Sequence, residues 1–416
     1  MKSIKQYKHY PWVVVGLLWV VALLNYLDRQ MLSTMKNQMM IDIAELSTAE
    51  NFGRLMAVFL WIYALMSPVA GLIADRISKK SLIVGSLFVW SLITLLMGYA
   101  QTFDQLYILR AFMGLSEALY IPAGLSLIAD YHQDKTRSLA TGLHMTGLYF
   151  GQALGGFGAT ISDKFSWQFT FQSFGMIGVA YSIVLILFLY DYKPVNSANN
   201  KSLKLSDFNI ASLKNSLATL LGTLSFWVIL FYFTAPSFPG WAIKNWIPTL
   251  FSQSLSIDMT LAGPLSTISI AASSFIGVIA GGILSDRWVK KSLKGRIFTG
   301  ALGLSMTIPA LLFLGFGQSL IGVIGGAVLF GIGFGMFDAN NMPILCQFVS
   351  SKYRAAGYGL MNMTGVIAGA FITDLLGKST DAGSLGRDIS FLAIPVCIAI
   401  GLLLTTLKPK TINMVE

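Results

Sequence analysis

The sequence predicts an all-α integral membrane protein in which twelve transmembrane helices form two pseudo-symmetric six-helix bundles. Composition is the first observation behind this prediction: 55% of the 416 residues are hydrophobic and 12% are charged, a charged share well below that of soluble domains. The second is a series of apolar segments long enough to cross a bilayer. The third is a short motif that recurs about half a chain later.

Each apolar segment approaches the length of about 20 residues that a helix needs to span a bilayer core. None shows the alternation of apolar and polar residues that is typical of a membrane β-strand. The predicted spans are 12–35, 52–74, 81–100, 103–127, 138–160, 167–190, 217–250, 262–285, 297–316, 318–348, 355–376 and 388–407. The first is longer than the core of a signal peptide and lacks a small-residue cleavage site, so we interpret it as a retained span.

Most of the 29 Lys and Arg residues fall on one side of these spans. They cluster before the first span, near residues 76–80 and 287–296, in the middle loop and after the last span. Because such residues concentrate in cytoplasmic loops, the pattern predicts a multi-pass protein of the bacterial inner membrane with both termini in the cytoplasm. The net charge of +10 is a consequence of this bias. It indicates membrane lipid as a partner and does not indicate nucleic acid.

A polar stretch rich in Asn, Ser and Lys divides the chain into two halves. We predict an N-terminal bundle at 1–190, a cytoplasmic linker at 191–216 and a C-terminal bundle at 217–416.

Three motifs in the first half return in the second. The segment GLIADRISKK, which begins at Gly71, recurs as GILSDRWVKK from Gly282. EALYIP at 117–122 is echoed by DANNMP at 338–343, and RSLATG at 137–142 by RAAGYG at 354–359. Parallel halves with a binding site at their interface are one of the ways in which secondary transporters are built.

The first span contains a polar run, Asn25 to Arg29, about two thirds of the way along an otherwise apolar helix. Ionisable residues at that depth are costly unless they face a cavity or a partner, so Asp28 and Arg29 are functional candidates. Adjacent residues point in different directions on a helix, which suggests a different partner for each. The alternative is an Asp–Arg pair that only holds this helix to a neighbour.

In the fourth span, Arg110 and Glu117 lie two helical turns apart on one face, with Gly114 between them. Arg29 and Arg110 converging on a cavity would bind a carboxylate well, because a guanidinium meets a carboxylate through two hydrogen bonds. The alternative is a pair of structural ion pairs, Asp28–Arg110 and Glu117–Arg29.

The repeated Gly-x-x-x-Asp-Arg-x-x-Lys-Lys loop resembles the signature loop of the major facilitator superfamily. The run at 25–29, together with Arg110-x-x-x-Gly114-x-x-Glu117-Ala118-x-x-x-Pro122, resembles the branch of anion:cation symporters, which includes hexuronate and sugar-acid permeases and sialin-like carriers.

The resemblance implies a proton-coupled symporter without cofactors that acts as a monomer on a small anionic substrate, with sodium as the alternative coupling ion. It assigns the substrate anion to Arg29 and Arg110, and proton coupling to Asp28 and Glu117. It also supports substrate contacts by Tyr26 and Tyr63.

Other polar residues are candidates for the cavity wall, each against the alternative of packing or interhelical hydrogen bonding. In the seventh span, Pro236, Pro239 and Gly240 predict a break or kink that could serve as a hinge. Lys244 either faces the cavity or extends to the membrane surface. The further substrate-binding candidates are Asn245, Asn340, Asn341, Asn362 and Gln152, with Asp338 beside them and His144 as a weaker proton candidate.

The repeated loops predict conformational latches, because their charges can pair across neighbouring helix ends in one state and separate in another. The latch residues are Gly71, Asp75 and Arg76 in the first half and Gly282, Asp286 and Arg287 in the second.

The sequence contains no phosphate-binding Gly-x-x-x-x-Gly-Lys-Ser/Thr loop, no His-Glu-x-x-His motif and no Cys/His cluster, so it indicates neither ATP drive nor a metal site. We therefore expect a transporter rather than an enzyme, and one that imports a uronate, another sugar acid or a small acidic saccharide. One alternative is a transporter of neutral sugars or drugs, either an importer or an exporter, in which the arginines are structural. The rival from another class is a membrane enzyme or ligand sensor.

Overall fold

The computed structural model describes residues 9–74, 77–132, 136–192, 218–350 and 353–409, without the side chains of Leu72, Ser138 and Ala355. The predicted linker lies almost wholly outside these ranges. The described residues form helices and no strand, and eleven helical segments are long and apolar enough to cross a membrane. The predicted all-α, multi-span fold is confirmed.

The helices of the first half are α1 (Tyr10–Thr34), α2 (Lys36–Asp42), α3 (Ala49–Ala74), α4 (Lys79–Met97), α5 (Phe103–Glu117), α6 (Tyr120–Tyr131), α7 (Arg137–Gly155), α8 (Gly158–Lys164) and α9 (Trp167–Phe188). Those of the second half are α10 (Leu224–Leu255), α11 (Met259–Val289), α12 (Gly295–Phe316), α13 (Leu320–Asp338), α14 (Asn341–Phe348), α15 (Arg354–Asp381), α16 (Leu385–Phe391) and α17 (Ala393–Thr406).

Four predicted spans are divided where the sequence predicted one helix, and the twelfth is one of them, divided between α16 and α17. The fourth pauses after Glu117 and the tenth after Asp338, so each of these carboxylates ends a helix, and the next helix begins after two intervening residues. The fifth is divided between α7 and α8, and it is not among the eleven segments. In the seventh span α10 runs through Pro236 and Pro239 without a break, so of the two predicted possibilities, a break or a kink, the break is wrong and the kink stays a prediction.

Hydroxyl and carboxylate side chains cap the starts of several helices. Thr102, Ser166 and Ser319 accept hydrogen bonds from backbone N–H groups three residues later, in the first turns of α5, α9 and α13. At the start of α11, the side chain of Asp258 accepts a hydrogen bond from the backbone N–H of Thr260. Hydrogen bonding from Thr260 lowers the pKa of the Asp258 carboxyl. Local chemistry therefore explains where these helices begin.

The two halves meet tightly at one end of the molecule, where α1 and α15 end and α3 and α11 begin. We call this end the closed face. A Cβ on Gly263 would lie 2.4 Å from the carbonyl oxygen of Gly156, and one on Gly377 would lie 2.5 Å from that of Ala49. Only glycine allows backbones of opposite halves to approach this closely.

At the opposite end, which we call the open face, the helices stand apart. Apart from the chain neighbours and the nearby backbone of the same helix, no described atom lies within 4 Å of the position that a Cβ would take on Gly71 of α3, Gly142 of α7, Gly282 of α11 or Gly359 of α15. The tight glycine contacts between the halves therefore lie at the closed face, and nearer the open face Asn362 of α15 donates a hydrogen bond to Ser67 of α3.

Candidate functional site

The polar run of α1 meets the end of α5 inside the first half. Glu117 is fully buried, and its Oε2 accepts hydrogen bonds from Arg29 Nε at 2.6 Å and from Asn25 Nδ2 at 2.9 Å. Because α5 stops at Glu117, this carboxylate faces α1 at the point where the helix pauses. One of the two predicted ion pairs, Arg29 with Glu117, is thus present.

The other predicted pair, Asp28 with Arg110, is not formed. Asp28 is 4% exposed, and its Oδ2 accepts a hydrogen bond from Thr94 Oγ1 of α4 at 3.2 Å. Among the described residues no basic nitrogen lies within 4 Å of this carboxylate. Asp28 and Arg29 therefore have different partners, as adjacent positions on a helix require.

Arg110 is buried without an acidic partner at hydrogen-bonding distance. Its Nη1 contacts Met113 Sδ at 3.1 Å, and its guanidinium lies 4.7 Å from the ring centroid of Phe59. Among the described residues Arg110 Nε has no hydrogen-bond partner, and neither has Nη2 of Arg29. Buried polar atoms normally have partners, so these two donors are available to a polar ligand.

Aromatic rings surround Arg29. Its guanidinium lies 4.8 Å from the ring centroids of Phe59 and Tyr63 on α3, and 5.1 Å from that of Tyr26. Such rings attract a cation and shield it from water, which strengthens its interaction with an anion. Phe59 and Thr94 are not among the residues predicted from the sequence, because an apolar ring and a threonine in a span are typical of packing.

A central cavity of about 190 Å³ lies between the halves, and a smaller one of about 60 Å³ adjoins it. Tyr26, Lys244 and Asp338 line both. The ammonium of Lys244 lies 4.9 Å from the ring centroid of Trp241 and 5.7 Å from that of Tyr26. Lys244 thus points into the cavity rather than to the membrane surface.

The remaining candidates fall into two groups. Tyr63 and Asn362 line the larger cavity, Gln152 lines the smaller, and Asn245 lines a narrow space beside Arg29 and Arg110. Asn362 also donates to Ser67 Oγ of α3 at 2.7 Å, which joins the two halves.

The second group lies off the cavity. Asn340 lies in the pause between α13 and α14, and Asn341 is the first residue of α14. Asn340 Nδ2 donates to the carbonyl of Met336 at 2.8 Å, and Asn341 Nδ2 donates to Asp338 Oδ1 at 3.2 Å. Neither lines the cavities described here. His144 is fully buried against the ring of Tyr120.

The latch prediction can be followed only in part. Asp75 and Arg76 lie outside the described residues, whereas Asp286 and Arg287 are exposed at the end of α11. Gly71 and Gly282 lie on the open face. No three His, Cys, Asp or Glu side chains of the described ranges are grouped as metal ligands would be.

Comparison with known proteins places these features in a family. A family model described as Major Facilitator Superfamily matches residues 18–373. The chain is 25% identical to the probable galactarate/D-glucarate transporter GarP of Escherichia coli (strain K12), over 88% of this chain and 87% of that protein. It is 24% identical to a chloroplastic ascorbate transporter of Arabidopsis thaliana, over 88% and 70% of the two chains.

Among solved structures, a bacterial homolog of the human lysosomal transporter Spinster, in an inward-facing and unoccupied conformation, has the same fold. The TM-score is 0.77 at 19% identity, and the match covers 95% of this chain and 97% of the other.

Proposed function

Since the chain belongs to the Major Facilitator Superfamily and is a transporter rather than an enzyme, we propose that it imports an organic anion together with protons. The proposed substrate is a uronate, another sugar acid or a small acidic saccharide. The proposal rests above all on the buried Arg29–Glu117 pair, because Arg29 and Arg110 line the same narrow space beside Trp241, which also lines the central cavity.

The arrangement suggests how binding and protonation are coupled. A substrate carboxylate that takes the guanidinium of Arg29 withdraws it from Glu117 Oε2. Glu117 then loses the charge that stabilised its ionised form and binds a proton more readily, since it is fully buried. Asp28, with Thr94 as its only hydrogen-bond partner among the described residues, is the second proposed proton carrier.

The conformation supports transport by alternating access, with the bundles 1–190 and 217–416 rocking around the site. The predicted orientation places the termini and the open face in the cytoplasm. The structure then corresponds to an inward-facing state, in which the closed face seals the outer side. We propose a functional monomer in the bacterial inner membrane, with sodium as the alternative coupling ion.

The names of the relatives support the substrate class. Galactarate and D-glucarate are sugar acids, and GarP and the probable galactarate/D-glucarate transporter GudP of Bacillus subtilis (strain 168) match most of this chain at 25% identity.

The test is uptake of labelled galacturonate into proteoliposomes with an imposed pH gradient, acid outside. We expect accumulation that depends on the gradient and is lost in Arg29→Gln and Arg110→Gln. Arg54→Gln is the matched control, because Arg54 pairs with Glu50 at the exposed start of α3.

The rival carrier of neutral sugars or drugs draws support from the same ion pair, which also binds α1 to α5. Labelled neutral sugar that accumulates while galacturonate does not would favour that rival.

A further inference from the structure

The second half carries a counterpart of the Arg29–Glu117 pair. Glu117 begins the first of two echoed hexapeptides and Asp338 begins the second, and each ends a helix that is followed by another after two intervening residues. Lys244 lies in α10, the first helix of the second half, as Arg29 lies in α1. Lys244 and Asp338 therefore occupy positions related to those of Arg29 and Glu117 by the repeat.

The two pairs differ in how they are used. Arg29 and Glu117 are held together at 2.6 Å inside the first half. Lys244 and Asp338 form no ion pair within 4 Å among the described residues, and both line the same two cavities. Asp338 is exposed, and its Oδ1 accepts a hydrogen bond from Asn341. The second pair is thus available to a ligand rather than fixed as a structural contact.

The charges around the cavities limit the substrate. In the second half, the cation Lys244 shares the walls of both cavities with the carboxylate of Asp338. A second carboxylate that approached Lys244 would lie close to the carboxylate of Asp338. Two carboxylates that lie close together repel each other, and repulsion of this kind is a common way to reject a competing ligand.

Hydroxyl groups suit the same place. A carboxylate accepts hydrogen bonds from hydroxyls and an ammonium donates to them. Tyr26, Trp241 and Phe334 add aromatic faces to the wall of the larger cavity. This end of the cavity therefore favours the uncharged, hydroxyl-bearing part of a sugar acid.

We propose that Asp338 is a specificity-determining residue that restricts the carrier to sugar acids with one carboxylate and rejects the dicarboxylic sugar acids. The inference rests on the proposed function and narrows its substrate class. Galactarate and D-glucarate carry a carboxylate at each end. The inferred preference would therefore distinguish this chain from the relatives that are named for those two acids.

The experiment compares the binding of galacturonate, with one carboxylate, and galactarate, with two, to the purified full-length protein at neutral pH. We expect the wild type to bind galacturonate at least tenfold more tightly. Asp338→Asn should reduce that preference at least tenfold, because the repulsion is gone. Asp338→Glu should retain it, and so should Asp258→Asn, which removes a carboxylate from the exposed cap of α11.

A second variant tests the proposal if Asp338→Asn does not fold. Asn362→Asp adds a carboxylate to the wall of the same cavity, and it should increase the preference for galacturonate. A wild type that binds galactarate as tightly as galacturonate would overturn the inference. So would an Asp338→Asn protein that binds both acids with an unchanged ratio. Failure of the wild type to bind either acid would instead refute the proposed function, and this inference with it.

Discussion

The closed face contains a helix cap that crosses between the halves, and its removal should favour opening. The carboxylate of Asp381, the last residue of α15, accepts hydrogen bonds from the backbone N–H groups of Ala49 and Glu50, both at 2.8 Å. These groups begin α3 and have no partner within their own helix. Outward opening must separate α3 from α15, so the cap stabilises only the closed arrangement.

The magnitude follows from the contacts. Loss of a capping side chain costs about 0.5–2 kcal/mol, and Asp381 is exposed, so we expect about 1 kcal/mol for Asp381→Ala. That is a shift of about fivefold in the equilibrium between closed and open forms. Lys378 and Glu50 are 3.7 Å apart in an exposed pair, which adds little. The glycine contacts of the closed face remain, so the shift should be partial.

Spin labels at Ile41 and Ile321 report this shift. Both side chains are exposed, at 82% and 87%, and they lie at the closed-face end of the first and second halves. Cys346 and Cys397 are replaced by serine in the background. We expect Asp381→Ala to increase the population of long distances in liposomes.

Asp258→Ala is the matched control for Asp381→Ala, since Asp258 caps α11 within its own half. Removal of that cap should lower thermal stability without changing the distances. An unchanged distance distribution in Asp381→Ala, or an equal change in both variants, would refute the reasoning.

Two further predictions concern the interfaces. Lys36 is 6% exposed over the ring of Trp246, and burial lowers its pKa to about 8 against the opposing effect of Asp381. When the closed face opens and exposes Lys36, the side chain keeps its proton to higher pH. The closed arrangement should therefore gain stability as the pH rises through about 8. Lys36→Met should abolish this pH dependence in the same distance measurement. In α7, a Cβ on Gly151 would lie 2.1 Å from the carbonyl oxygen of Leu23, so Gly151→Ala should cost about 1–3 kcal/mol and lower the melting temperature. Gly16 has open space around it, so Gly16→Ala should leave the free energy of unfolding unchanged or raise it by up to about 1 kcal/mol, and the melting temperature should stay the same or rise.

Much of the fold could be predicted because the bilayer imposes simple rules on sequence. Spans must be long and apolar, and Asp28 and Arg29 are conspicuous where charge is costly. The predicted family is confirmed by the match over residues 18–373. The pairing of Arg29 with Glu117 was one of two alternatives, and the structure selects it.

The errors arose where tertiary contacts override a local rule. Pro236 and Pro239 do not break α10, and the pauses after Glu117 and Asp338 carry no proline or glycine at the pause itself. The cap by Asp381 joins positions more than 300 residues apart, and a search for sequence motifs considers few contacts of that kind. Thr94 was missed because a hydroxyl in a span usually bonds its own helix, as Thr94 also does to the carbonyl of Trp90.

The central claim is that Glu117 exchanges Arg29 for a proton when the substrate anion binds. The most direct test compares gradient-driven accumulation of galacturonate with exchange across membranes that carry no gradient, in proteoliposomes of the wild type, Glu117→Gln and Asp28→Asn. We predict that Glu117→Gln abolishes accumulation but retains exchange, because a neutral side chain still releases Arg29 to the substrate. Full gradient-driven accumulation by the Glu117→Gln variant would contradict the account.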